Sequence, residues 1–496
     1  MSKPKTTYSQ IFKSTVLFGG VQIFNILISI IRTKLIAVLI GPFGMGISGL
    51  LQTTLNLHSS FSSLGLENSG IKNISQNISD TNKTSKSIAI LKRLVWIIGI
   101  IGALLFLTLS SLLSKLTFGN YSYTTSFAWV SIALFFKQLS VGEMVVLQGM
   151  RKLKSLAIVN LLGSSIGLII SVPLYYYLKL QAIVPTIVIS SVIFFVFSFY
   201  FAKKVKVEKV TILKDDFYSE SKELLSFGLM LSLGSLLTLL TSYLLQIYIS
   251  KYGSLTEVGL YNAGFTLLNS YVGIVFSSMA TDYFPRLSAV NSDSNAIQKI
   301  VSEQALIAVL IITPIIVLFE VFTPTVVKLL FSDQFTAIVP MIALGILGML
   351  FRAASWSVGY IILAKGDSKV FVKNALFFNG LFFILHCFGY SFFGMKGLGM
   401  AFMVYYFCHY IVLKFLVKNR YQFKFNVEFY KVFSISIVLC GLAYLLNYLP
   451  TNIFKYTLFA VVIVVSVMYS LIEINKKLNL KELMNKFVSK FRKDKN

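Results

Sequence analysis

The chain has 496 residues, of which 56% are hydrophobic and 13% charged, and it carries a net charge of +26. A soluble globular protein has about 25% charged residues, so an ordinary soluble enzyme is excluded. The apolar runs are continuous rather than alternating and about 20 residues long, which excludes a β-barrel and leaves membrane-spanning helices.

The predicted fold is an all-α polytopic membrane protein of about 14 transmembrane helices, at roughly 11–40, 43–66, 87–113, 124–149, 155–178, 182–201, 223–250, 257–283, 300–322, 334–363, 370–393, 397–417, 429–448 and 453–474. The first run is too long for the apolar core of a signal peptide and lacks a small-residue cleavage site, so no cleavable leader is expected. With the N-terminus inside, the inner loops, both tails and the adjoining span ends hold about 35 of the 45 Lys and Arg residues. The outer loops hold Lys115, Lys179, Lys251, Lys328, Lys396 and Lys455. This asymmetry predicts cytoplasmic termini and accounts for the basic charge without nucleic acid.

Span one carries a polar stripe of Gln22, Asn25, Ser29 and Arg32 at i, i+3, i+7 and i+10. Lys34 points about 200° away from that stripe and is placed to snorkel to the outer interface. Span two has Ser48, Gln52, Asn56, Ser59 and Ser63 on one face. Span four brings Lys137 near its middle, with Glu143 as its one carboxylate, about 120° off the lysine's face. Asn160, Ser164 and Ser171 share a face of span five with Gly167. Ser232, Ser235, Thr238 and Ser242 line span seven, and Asn262, Thr266 and Asn269 line span eight. Arg352 falls just past the middle of span ten. Such stripes serve either as helix–helix glue or as walls of a wet cleft.

The four cations separate these readings. A Lys or Arg near the bilayer centre costs about 2.5–3.5 kcal/mol on insertion scales, so such residues face water, a partner or a bound anion. Arg32, Lys137 and Arg352 are therefore candidate substrate-binding residues, with Gln22, Asn25, Ser29, Gln52, Asn56 and Asn262 as hydrogen-bonding neighbours. Lys34 is the weakest member of the set. The alternative for each cation is an ion pair with a carboxylate on another helix.

An internal repeat runs at an offset of about 210–217 residues. Lys115-Leu116-Thr117-Phe118 matches Lys328-Leu329-Leu330-Phe331, Phe135-Phe136-Lys137 matches Leu350-Phe351-Arg352, and Phe18-Gly19 matches Phe227-Gly228. Six spans per repeat predict a parallel duplication about the membrane normal, with the site between the halves. The expected organisation is an N-lobe at 1–202, a cytoplasmic linker at 203–222, a C-lobe at 223–418 and two further spans at 419–474. A basic amphipathic tail at 475–496 would lie on the inner leaflet. Cys387, Cys408 and Cys440 have no metal or redox spacing and read as packing residues. His58, His386 and His409 also read as packing residues, although Asn379, His386 and Tyr390 share a face of span eleven. Pro173 and Pro314 are expected to kink spans five and nine. No phosphate-binding loop, zinc-type histidine pair or large outer loop is present, so neither a catalytic site, a metal nor a cofactor is expected.

The stretch Gly41-Pro42-Phe43-Gly44-Met45-Gly46-Ile47-Ser48-Gly49-Leu50-Leu51-Gln52 resembles the start of O-antigen translocases. Glu257-Val258-Gly259-Leu260-Tyr261-Asn262-Ala263 and Tyr283-Phe284-Pro285-Arg286-Leu287-Ser288 resemble the second-half signature of polysaccharide flippases. Both groups belong to the multidrug/oligosaccharidyl-lipid/polysaccharide exporter superfamily, and the resemblance covers about the first 420 residues. It implies two six-helix lobes that rock around a central cleft, here cationic. It also implies flipping of a polyprenyl-diphosphate-linked oligosaccharide, such as an O-antigen repeat unit, across a bacterial inner membrane. The implied partners are that lipid-linked glycan, membrane lipids and polysaccharide polymerase machinery, with the flippase itself a monomer. Spans thirteen and fourteen resemble the extra pair of the lipid II flippase branch, which leaves a peptidoglycan-precursor flippase open. A cation-coupled multidrug exporter would call for carboxylates in the cleft, and a membrane glycan polymerase or ligase for larger outer loops.

Overall fold

The computed structural model describes residues 4–208 and 210–478, with side chains from Phe24 onward except at 230, 231, 281 and 478. The described residues contain helices and turns and no strand. Eleven helices are long and apolar enough to cross a membrane. Three of these hold two predicted spans each. The first, α1 (Pro4–Ser63), turns at Gly41, whose φ of 63° suits a residue without Cβ. Helices α6 (Leu153–Leu178) and α7 (Ile183–Lys203) are joined by a single 3₁₀ turn at Lys179–Ala182. In α13 (Ser368–Tyr421) the turn is at Gly394, and Gly389 packs backbone to backbone on Gly397, which closes a hairpin. Fourteen spans are thus accounted for, and the protein is a multi-pass membrane protein. Pro173 and Pro314 lie within helices that continue past them.

The chain divides into two compact units, Met1–Asn262 with Leu330–Gln334, and Ala263–Leu329 with Phe335–Asn496. The first unit also contains α2 (Leu66–Gln76), α3 (Thr81–Thr108), the short α4 (Ser110–Phe118), α5 (Thr124–Gly149), α8 (Lys214–Tyr252) and the start of α9 (Leu255–Thr266). Its axis is α5, which packs on α1, α2, α3, α4, α6 and α7. Two apolar clusters surround α5. One includes Leu134, Val130 and Phe127 with Leu51, Leu55 and Phe106; the other includes Leu139, Val145 and Val146 with Leu91, Leu94 and Ile74. Lys137 falls in the seam between them. The second half of the 203–222 linker forms the first turns of α8, where Asp216 and Glu220 each lie 3.0 Å from Lys86 of α3.

The second unit holds α10 (Ile274–Ala289), α11 (Ser294–Leu330), α12 (Val339–Ala364), α13, α14 (Val427–Leu446) and α15 (Ile453–Leu478). Here α12 is the central helix, against α10, α13 and α14. Side-chain caps start α3, α13 and α14, among others: Asp80 accepts from Lys83 N, Asp367 from Val370 N, and Asn426 from Phe429 N. Most of the predicted amphipathic tail, from residue 479, lies outside the described residues.

Candidate substrate-binding sites

The two sequence signatures meet in the first unit. A Cβ on Gly46 would lie 1.9 Å from the carbonyl oxygen of Leu255, and one on Gly259 would lie 1.8 Å from that of Pro42. Glycine at both positions lets α1 and α9 touch along their backbones. One turn on, Gly49 leaves room for the Asn262 amide, which donates to Gln246 Oε1 at 3.3 Å. Gln246 in turn donates to Thr53 Oγ1 at 2.9 Å and Ser242 Oγ at 3.4 Å. Asn262 therefore belongs to a polar junction of α1, α8 and α9. In this junction each amide is occupied by protein, as expected for helix–helix glue.

The polar face of α1 opens instead onto a cavity of about 590 Å³. Arg32, Thr33, Ser48 and Gln52 come from α1, Lys137 and Ser140 from α5, Tyr175 from α6, and Ser190 and Ser191 from α7. Lys137 Nζ donates to Asn56 Oδ1 at 2.5 Å, and Gln52 Nε2 donates to the same oxygen at 3.2 Å. Among the described residues no carboxylate lies within 4 Å of Lys137. Glu143 pairs instead with Lys92 of α3 at 2.8 Å, on the other side of α5. Arg32 makes neither a hydrogen bond nor an ion pair among the described residues. The single carboxylate on the wall is Glu67 of α2, within electrostatic reach of Lys137. It lies just past the end of predicted span two, where a carboxylate is ordinary in the sequence. Ionised, these three groups leave one net positive charge. The cavity can therefore hold an anion beside an unpartnered guanidinium, with hydroxyls and amides around it.

The other predicted residues are placed elsewhere. Lys34 Nζ donates to the carbonyl of Phe331 at 2.6 Å and does not line the cavity, in keeping with its angular offset from Arg32. Ser29 is exposed, and the Asn25 carbonyl oxygen is buried with no hydrogen-bond partner. The side chain of Gln22 lies outside the described residues.

Arg352 belongs to the second unit. Its Nη1 donates to Asn269 Oδ1 at 2.7 Å, and its guanidinium stands 5.2 Å from the Phe276 ring and 5.3 Å from that of Tyr406. Asn269 lies in a π-helical turn, Leu267–Val272, between α9 and α10. Such one-turn bulges re-aim side chains and concentrate at functional sites. Amide and aromatic faces hold the cation without cancelling its charge. The histidines are packed: His58 Nδ1 lies 3.1 Å from Thr54 O, and His386 Nδ1 lies 2.8 Å from Phe382 O with its ring stacked on Phe382.

The sequence profile of a family described as polysaccharide biosynthesis proteins matches residues 35–340, more than half of the chain. The chain belongs to that family. No curated protein matches it in sequence. Among solved structures, it is similar to the lipid II flippase MurJ in an inward closed conformation. There the TM-score is 0.71 at 13% identity, over 94% of this chain and 99% of that one. It is also similar to a multidrug resistance MATE family transporter of the MOP superfamily. The inward-facing form gives a TM-score of 0.68 at 15% identity over 80% of this chain and 94% of that one. The outward-facing form gives 0.59 at 15% identity over 83% and 96%. The fold is thus that of MurJ and MATE transporters.

Proposed function

We propose that this protein flips a polyprenyl-diphosphate-linked oligosaccharide, a repeat unit of a surface polysaccharide such as O-antigen, from the cytoplasmic to the periplasmic leaflet of a bacterial inner membrane. Membership of the polysaccharide biosynthesis family supports the substrate class, and the transporter-like fold supports alternating access. The observation that carries the reading is the cavity in which, among the described residues, Arg32 has no hydrogen-bond or ion-pair partner and Lys137 is hydrogen-bonded to the neutral Asn56. A diphosphate is the anionic part of such a lipid. At 4 Å a single pair of opposite charges is worth about 1 kcal/mol in water and about 4 kcal/mol at an effective dielectric near 20. Arg32 and Lys137 are assigned to the diphosphate, and Arg352 is a proposed substrate-binding cation of the second unit. Gln52, Ser48, Ser190 and Ser191 are assigned to the sugars. Both termini are cytoplasmic in this reading, the chain acts as a monomer beside the polymerase machinery, and no nucleic acid is involved.

A lipid II-type precursor is the second reading, favoured by the similarity to MurJ over 94% of this chain. Reconstituted vesicles decide between them when loaded in parallel with lipid II and with the host's own oligosaccharide lipid. The proposal expects transfer of the second and not the first. Arg32→Gln and Lys137→Gln should each slow transfer about tenfold or more, the equivalent of about 1.4 kcal/mol. Arg352→Lys and Lys137→Arg should retain part of it. Unchanged transfer in the triple Arg32, Lys137 and Arg352 glutamine variant would return these cations to a structural role.

A further inference from the structure

Glu320 is a buried acidic residue of the second unit. It lies on α11 with 2% of its surface exposed. Its Oε2 accepts from Asn447 Nδ2 at 2.9 Å, while Oε1 is buried with no hydrogen-bond partner. No cationic side chain lies within 4 Å of it among the described residues, and its own helix is uncharged for a full turn either side, from Ile316 to Pro324. From α14, Cys440 and Tyr444 stand within electrostatic reach of the carboxyl. From α15, Lys455 reaches only the far side of Asn447, donating to the carbonyls of Asn447 and Leu449 at 2.9 and 3.1 Å. An ionised carboxylate buried in protein with one neutral donor and no cation beside it is costly by several kcal/mol.

The surroundings distinguish the ion that would neutralise it. Hard metal cations take six or more oxygen ligands. Here Asn447 turns an N–H donor toward the carboxyl, and the described residues contain no cluster of three or more acidic, Cys or His side chains. A proton needs only one of the two oxygens, and Oε1 is free. Water reaches the donor of this carboxyl. Asn447 is exposed on its other side, and the Tyr444 hydroxyl is 2.6 Å from that of exposed Tyr448.

We infer that Glu320, with Asn447 as its donor, is a proton-binding site that couples flipping to a transmembrane proton gradient. The coupling half of this inference rests on the proposed transport function; the proton site does not. The test uses the full chain in vesicles. In the absence of substrate, a change of pH should produce an infrared difference band of a buried carboxylic acid. That band should be absent in Glu320→Gln and displaced in Asn447→Ala. If no band depends on Glu320, the proton site is overturned.

With the oligosaccharide lipid present, one proton per cycle should shift the distribution between leaflets about tenfold per pH unit of gradient. Glu320→Gln should flip without responding to the gradient. Wild-type flipping that ignores the gradient would overturn the coupling. Failure to flip any glycan would instead overturn the transport function, with the infrared band still deciding the site. A purely structural Glu320 predicts an unchanged pH profile in Glu320→Gln, since glutamine preserves an acceptor for Asn447.

Discussion

The contact between Gly46 and Gly259 makes the sharpest stability prediction. In Gly46→Ala the new methyl carbon would stand 1.9 Å from Leu255 O and 3.2 Å from Gly259 N. In Gly259→Ala it would stand 1.8 Å from Pro42 O and 2.9 Å from Gly46 N. An ordinary carbon–oxygen contact is about 3.3–3.6 Å, so each substitution overlaps backbone by about 1.5 Å. No rotamer change relieves this, because the obstacles are main-chain atoms of two helices. Helices α1 and α9 must move apart, which places the cost at the upper end for overpacked cores, about 3 kcal/mol or more. Once the helices have separated for one methyl, the second meets less resistance, so the double variant should cost clearly less than the sum. Gly380→Ala is the control: it lies inside α13 with nothing within 4 Å of the added atom, and it should be neutral or gain about 0.5–1 kcal/mol. The assay is thermal unfolding of the purified protein in detergent, followed by tryptophan fluorescence and size-exclusion recovery. Losses under about 1 kcal/mol in both single variants, or strict additivity in the double, would refute a shared backbone contact.

Asn56→Asp should place a carboxylate beside Lys137, neutralise it and slow glycan transfer about tenfold at normal protein levels, whereas Asn56→Gln should slow it less. Lys34→Gln should leave transfer close to wild type, because its ammonium is committed to the Phe331 carbonyl and not to the cavity; loss as severe as in Arg32→Gln would contradict that placement. At the junction of α12 and α13, the hydrogen bond from Arg420, with those from Val370 N and Tyr421, holds the Asp367 carboxyl below its usual 3.8. A depressed pKa contributes stability that is present above 3.8 and lost as pH falls through the lowered value. Melting temperature should therefore drop in that acid window in wild type and drop less in Asp367→Asn. A cysteine introduced at Lys206 in the 203–222 linker should resist membrane-impermeant reagents applied outside intact cells, and ready labelling there would invert the proposed topology.

The number and placement of the membrane-spanning helices were legible in the sequence, because a bilayer admits only backbones that satisfy themselves and about 20 apolar residues are needed for each crossing. The stripe from Ser48 to Asn56 and the isolation of Lys137 and Arg352 were legible for the same reason, since a polar group in that solvent must face something other than lipid. What those groups face is decided only by packing between segments far apart in the chain. Angular offset alone separated Glu143 from Lys137, but only the proximity of α3 shows its partner to be Lys92. Asn262 and Gln52 look alike as polar residues in glycine-flanked stretches. The backbone contact of Gly46 with Gly259 commits Asn262 to a helix junction, while Gln52, on another face of the same α1 segment, opens onto the cavity. Glu67 escaped notice because it falls beyond a span, and Glu320 because hydropathy gives no warning when one carboxyl is buried by a helix more than 100 residues away. Periodicity reports which face of a helix is polar. Whether that face meets a protein partner, a cavity or a single proton depends on which helices are brought against it, and that is a property of the tertiary structure alone.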